Sequence, residues 1–251
     1  MELLVTAAAC LGVGLLIGWS GVAGFLLPIL FVNYNHLATG QALALSFLCF
    51  AVSGAIGAVN YRRKGQLDLR TGLFLGLGSL IGAALGAAVN RLLPTDTVKM
   101  LLYAVVLLSG LSILIRQLTV RRQREPGAPR PRPLRPAALV LLGLVTGALC
   151  ALSGAGGPVV VMPLLVALGV PAKEAVGAAL LDSVFIALPA LGVYGLRGGF
   201  TGLFALAALC AAAHGVGVAA GSATSQLVPQ EGLKRGVAVF SICFSLYMLL
   251  R

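Results

Sequence analysis

"SGAGGPVVVMP", Ser153 to Pro163, interrupts a stretch that is otherwise as apolar as lipid. Three glycines (Gly154, Gly156 and Gly157) followed by Pro158 unwind a helix rather than extend it. The apolar run around them covers residues 137–168. That is too long for one unbroken crossing, since about 20 residues span the hydrocarbon core. A second run, 2–32, has the same excess length and is interrupted at "WSGVAG" (19–24). Unpaired backbone N–H and C=O groups are costly in hydrocarbon, so non-helical backbone survives there only where protein or a cavity covers it.

Composition places both breaks in a membrane. Of the 251 residues, 59% are hydrophobic and 10% are charged, whereas soluble domains carry about 25% charged residues. The chain reads as an all-α polytopic membrane protein with about eight transmembrane segments, at 2–32, 37–60, 69–90, 97–117, 137–168, 174–195, 200–224 and 232–250. Segments 1 and 5 contain the broken helices. The start, "MELLVTAAAC", lacks a basic n-region, so no cleavable signal peptide is expected. Cys10, Cys49, Cys150, Cys210 and Cys243 all fall in apolar spans without CxxC spacing and read as small buried hydrophobes.

The net charge of +11 is a topological signal rather than a nucleic-acid one, because basic residues mark cytoplasmic loops. "RQLTVRRQREPGAPRPRPLRP" (116–136) carries seven arginines and five prolines against one acid, Glu125. It reads as an extended cytoplasmic linker (118–136), with anionic lipid headgroups as its natural neighbours. "YRRKGQLDLR" (61–70) is basic as well and reads as cytoplasmic. If segments 1 and 5 each cross once, the two halves are parallel and both termini are cytoplasmic, the arrangement expected here although the second half's loops carry too little charge to decide. If the broken segments dip in and return, the halves are inverted.

The halves match one another. Ser20-Gly21 pairs with Ser153-Gly154, Tyr61 with Tyr194 and Gly65 with Gly198, all 133 positions apart. Gly82 and Gly86 pair with Gly217 and Gly221 at 135, and "LLPTDTVK" (92–99) with "LVPQEGLK" (227–234). The chain thus divides into a first transmembrane repeat (1–117), the linker (118–136) and a second repeat (137–251). Duplicated membrane proteins with matching helix breaks are commonly secondary transporters that bind substrate near the midplane.

Pro158 suits the start of a new short helix. A helix N-terminus exposes N–H groups and the positive end of the helix dipole, and so fits an anion such as a carboxylate, sulfite or sulfonate. The expected substrate-binding set is Ser20, Gly21 and Gly24 from the first break with Ser153, Gly154, Gly156 and Gly157 from the second. The fourfold-spaced glycines Gly78, Gly82 and Gly86, with Gly217 and Gly221, read instead as a helix-packing face.

Three paired features carry a family resemblance: "SGVAGFLLP" (20–28) with "SGAGGPVVVMP"; "ATGQALALS" (38–46) with "AVGAALLDS" (175–183); and "YRRKG" (61–65) with "YGLRGG" (194–199). Over essentially its whole length the chain resembles the TauE/SafE permeases, also called the 4-toluene sulfonate uptake permease family. The resemblance implies transport of small sulfur-containing anions such as sulfite, sulfonates or sulfoacetate across the cytoplasmic membrane. Relatives usually place a Thr-Ser pair early in the helices after the breaks. Here Gln41-Ala42 and Ala178-Ala179 stand there, leaving the Gln41 amide as the replacement donor.

Asp182 is the one acid expected deep in a span, a costly placement that points to an interior or aqueous path. It reads as a coupling site for protons or Na+, with His214 as a second candidate, the alternative being an interhelical contact to Ser183 or His214. Tyr61 and Tyr194, at segment ends, read as interfacial anchors. No HExxH, GxSxG, P-loop or metal-spaced His/Cys cluster occurs. Neither an enzyme nor a cofactor or metal is therefore expected. The competing reading is a passive channel, or a permease for another small carboxylate or inorganic anion.

Overall fold

The computed structural model describes residues 2–21, 23–90, 92–120, 134–227 and 230–250. Among them the chain is helical apart from short connections, with no strands. In chain order the helices are α1 (Glu2–Ser20), α2 (Leu26–Asn33), α3 (Thr39–Arg63), α4 (Leu69–Asn90), α5 (Thr95–Val120), α6 (Pro136–Ser153), α7 (Gly157–Ala167), α8 (Ala172–Tyr194), α9 (Phe204–Thr224) and α10 (Gln230–Leu250). Six of them, α1, α3, α4, α6, α8 and α9, are long and apolar enough to cross a membrane. Helices α5 and α10 run for 26 and 21 residues, while α2 and α7 have only 8 and 11. The expected linker falls mostly on 121–133, outside the described residues; its first three positions are the end of α5.

Small residues decide the packing. The most extensive helix pairs are α4 with α6 and α1 with α9. A Cβ built on Gly78, Gly82 or Gly86 would collide with the carbonyl oxygen of Val140, Leu144 or Ala148 respectively. On α9, Gly217 and Gly221 meet the carbonyls of Leu11 and Leu15 in the same way. The glycine face is a packing face, on which backbones approach with no side chain between them.

The order of these contacts fixes chain direction. Gly14 of α1 meets Gly217 and Val218 while Gly18 meets Gly221 and Ser222, so α1 and α9 are parallel. Helices α4 and α6 are parallel by the register just given. Gly72 and Gly76 meet Leu181 and Phe185, making α4 and α8 parallel as well. Helix α3 runs with α9, since Gly215 meets Val52 and Ile56 while Asn60 reaches Ser222. Against α8, however, Gly54 meets Ser183, Gly57 meets Leu180, and Gly177 meets Tyr61, so α3 and α8 are antiparallel. Helices α1, α3 and α9 form one set and α4, α6 and α8 the opposed set.

The side chains at segment ends also correct a reading. Tyr61 and Tyr194 are 2% and 3% exposed, and so are not interfacial anchors. Of the cysteines, Cys10, Cys49, Cys150 and Cys210 are buried as expected, but Cys243 is exposed.

Candidate functional site

Helix α6 stops where the glycines begin. Gly154 is left-handed (φ 75°) and its N–H still bonds the carbonyl of Cys150 at 2.8 Å. Gly156 (φ 80°) then caps α7, which starts at Gly157, one residue before Pro158. In the first half α1 ends at Ser20, Gly21 is left-handed (φ 72°), and Ala23–Phe25 form a single 3₁₀ turn before α2. Left-handed backbone is freely open only to glycine, which explains the residue chosen at Gly21 and Gly154.

Two tyrosines brace the helix ends. The Tyr61 hydroxyl donates to the carbonyl of Gly18 at 3.2 Å, and that of Tyr194 to the carbonyl of Ala151 at 2.9 Å. Both acceptors lie in the last turn of a helix that stops short, where carbonyls have no intrahelical donor. The Cys150 thiol adds a contact to the Gly156 carbonyl at 3.4 Å.

The two breaks lie together. A Cβ built on Gly24 would sit 3.5 Å from the carbonyl oxygen of Ala155 and 3.1 Å from the ring of Phe50, and one on Gly156 would sit 3.0 Å from that same ring. Protein side chains occupy the glycine notches: Leu43 lies over Gly154, Val176 over Gly21, and Ser183 and Ile186 over Gly157. Beside the second break, Pro28, Ile29, Val32, Thr39, Leu43, Val98, Tyr103 and Ser153 line a mainly apolar pocket. Leu43 therefore stands between this pocket and Gly154.

The expected hydroxyl donors point elsewhere in this state. Ser20 donates to the carbonyl of Leu16 at 2.8 Å, and Ser153 to that of Leu149 at 2.7 Å while accepting the N–H of Ala155 at 3.3 Å. Serine bonding to a carbonyl one turn back is its ordinary habit inside a helix. Gln41 is half-buried near the start of α3, two positions before Leu43. Phe50, which flanks the breaks, escaped sequence reading, and Ser183 was read only as an alternative contact of Asp182. The signal was the 133-residue offset, which sets Phe50 opposite Ser183 and the start of α3 (Thr39) opposite that of α8 (Ala172); the pairing of 38–46 with 175–183 is four residues out of that register.

Asp182 and His214 are both fully buried, but on different helix contacts. Asp182, on α8, lies beside Ser79 of α4 and Cys150 of α6, and neither carboxylate oxygen has a hydrogen-bond partner among the described residues. The Ser79 hydroxyl donates instead to the carbonyl of Gly143 at 3.0 Å. His214, on α9, places Nδ1 3.0 Å from the carbonyl of Cys10, with Nε2 unpartnered among the described residues. His214 is thus the counterpart of Ser79 rather than a contact of Asp182.

Comparison with known proteins identifies the family. A family model described as "Sulfite exporter TauE/SafE" matches residues 6–248. The chain is 26% identical over 178 residues to the "Probable membrane transporter protein YdhB" of Bacillus subtilis (strain 168), covering 70% of this chain and 71% of that protein. No solved structure gives a match. A match that runs through both breaks and nearly every helix leaves one assignment: the chain belongs to the TauE/SafE family of membrane transporters.

Proposed function

We propose that this protein is a secondary transporter that carries small sulfur-containing anions (sulfite, sulfonates or sulfoacetate) across the cytoplasmic membrane, with the anion held between the two helix breaks near the midplane. The observation that carries this reading is the meeting of the breaks themselves, Gly24 beside the Ala155 carbonyl and one ring resting on both. The N–H groups that open α7 supply positive potential without a buried cation. Leu43 and Phe50 close the space on the α3 side, which favours alternating access over an open channel. The family description, a sulfite exporter, favours outward movement.

We infer further that residues 1–117 and 137–251 are inverted repeats. Left-handed backbone recurs at the repeat offset in Gly21 and Gly154 (φ 72° and 75°), His36 and Gly169 (51° and 93°), and Gly65 and Gly198 (66° and 78°). Each equivalent helix pair, α1 with α6, α3 with α8 and α4 with α9, has opposite direction. With the basic loop after α3 cytoplasmic, α3 runs inward and α1, parallel to it, starts outside. The linker before α6 then also lies in the cytoplasm beside anionic lipid. This arrangement replaces the one with cytoplasmic termini.

Asp182 is the coupling group in this reading. An unpaired carboxylate is expensive at bilayer depth, so the side chain carries a proton while enclosed and releases it when the α4–α8 contact opens to water. The test is flux of radiolabelled sulfite in proteoliposomes, with and without an imposed proton gradient. Saturable flux that follows the gradient is expected. Non-saturating flux indifferent to the gradient would make the protein a passive channel.

A further inference from the structure

We propose that Phe50 is the size-selecting gate of the transport path; this rests on the reading that substrate sits between the breaks. Phe50 is 2% exposed at the middle of α3. Its ring abuts both breaks, 3.1 Å from a Cβ built on Gly24 and 3.0 Å from one on Gly156. Any side chain at either glycine would push it away.

The ring does not stand by itself. Phe47 meets it edge-on at a centroid distance of 5.8 Å and stacks on Tyr194, also at 5.8 Å and within 3° of parallel. Tyr194 in turn holds the Ala151 carbonyl at the end of α6. A continuous aromatic ladder thus runs from the gate to the helix end that forms the second break. Edge-to-face and offset rings have defined geometries, so the ladder holds Phe50 in one seat.

The same position in the second half is Ser183, whose Oγ lies 3.0 Å from a Cβ built on Gly157 and donates, as Ser20 and Ser153 do, to the carbonyl one turn back, that of Ala179 at 2.9 Å, a bond it would exchange for one to substrate. Of two equivalent positions facing equivalent glycines, one is a bulky apolar ring and the other a small hydroxyl. The proposal therefore puts the substrate on the Gly157–Ser183 side, which Ser183 and Ile186 fill in the substrate-free protein. Phe50 bounds the space opposite it and limits what an anion carries behind its charged head. On this proposal a small anion such as sulfite passes with the ring seated, whereas an arylsulfonate requires the ring to leave.

The test compares initial rates for sulfite and benzenesulfonate in proteoliposomes holding the parent protein, Phe50→Ala, Phe50→Leu or Gly24→Ala. Each variant is first checked for monodisperse elution. Gly24 needs no left-handed backbone, so its alanine displaces the ring without straining the chain. The benzenesulfonate-to-sulfite ratio is expected to rise about tenfold or more for Phe50→Ala, in line with what a cavity-sized change does to discrimination. Phe50→Leu and Gly24→Ala should raise it less. If Phe50→Ala does not fold, those two variants decide the matter. A parental ratio in every folded variant, or an equal rise for both anions, overturns the gate. A parent that moves neither anion overturns the transport reading itself.

Discussion

Tyr194 reaches back 43 residues to hold the Ala151 carbonyl at 2.9 Å, and Tyr61 reaches back the same distance to hold that of Gly18. Each hydroxyl satisfies a carbonyl at the end of a helix that stops inside the protein. Tyr194→Phe keeps the ring stack on Phe47 but leaves that carbonyl without its buried donor. A loss of about 1–2 kcal/mol is expected, and Tyr61→Phe should cost a similar or smaller amount. Thermal unfolding in a fixed detergent measures both, and an unchanged midpoint for Tyr194→Phe would mean that another donor replaces the hydroxyl.

Asp182→Asn replaces a carboxyl with no hydrogen-bond partner among the described residues by an isosteric neutral amide. Stability should hold or rise, because no charge has to be buried. Anion binding should persist, while flux should lose its dependence on a proton gradient. Proteoliposome assays at matched and unmatched pH check this; gradient dependence equal to the parent's would remove Asp182 from coupling.

Lys64 ends α3 by donating to the carbonyls of Ser222 and Ala223, at 2.6 and 2.9 Å, in the last turn of α9. A cation there satisfies orphan carbonyls and opposes the negative end of the helix dipole. Lys64→Met should therefore cost about 1 kcal/mol, seen as a lower unfolding midpoint and faster proteolysis near residue 225. Lys64→Arg should restore part of the loss.

Helix directions make a labelling prediction. A cysteine at Arg63 should react with an impermeant thiol reagent only from the cytoplasmic side. One at Leu92, which is 83% exposed, should react from outside intact cells. Labelling of Arg63→Cys from outside would reverse the orientation, and labelling of both from the same side would mean that α4 does not cross the membrane. Cys243, being exposed, is replaced by serine in the background.

Leucine at Gly156 or Gly157 is a poor probe of binding, because both positions are filled from the protein side. Gly156 has φ 80° and faces the Phe50 ring, and a Cβ on Gly157 would lie 3.0 Å from Ser183 Oγ and 3.1 Å from Ile186. Ser183→Ala is the cleaner change, since it removes one hydroxyl and adds no bulk. It should weaken sulfite binding about tenfold, in keeping with one hydrogen bond to a charged group. A ligand-induced shift in unfolding temperature measures it, and parental affinity would move the site away from Gly157.

What the sequence revealed, it revealed through spacing. A cluster of glycines in an overlong apolar run marks where α6 gives way to α7, and glycines four apart mark the α4–α6 and α1–α9 faces. Depth along a span is legible in the same way, which is why Asp182 stood out. Hydropathy is blind to azimuth, however, because lipid and protein interior are equally apolar. It gave no sign that Phe50 rests on both breaks, that Tyr194 faces inward, or that Asp182 and His214 look at different neighbours. Those facts depend on which helices meet across more than a hundred residues of chain.

The pairing of α1 with α9 and of α4 with α6 also sets the order in which the protein can be made. When residue 117 leaves the ribosome, the glycine faces of α1 and α4 have no counterpart, because both counterparts are still to be synthesised. The early helices must wait in the bilayer, and assembly completes only after α9 has inserted, a late closure of long-range contacts of the kind that folds slowly. Neither half is a folding unit by itself. Two separately expressed halves should be degraded when alone and accumulate when produced in the same cell.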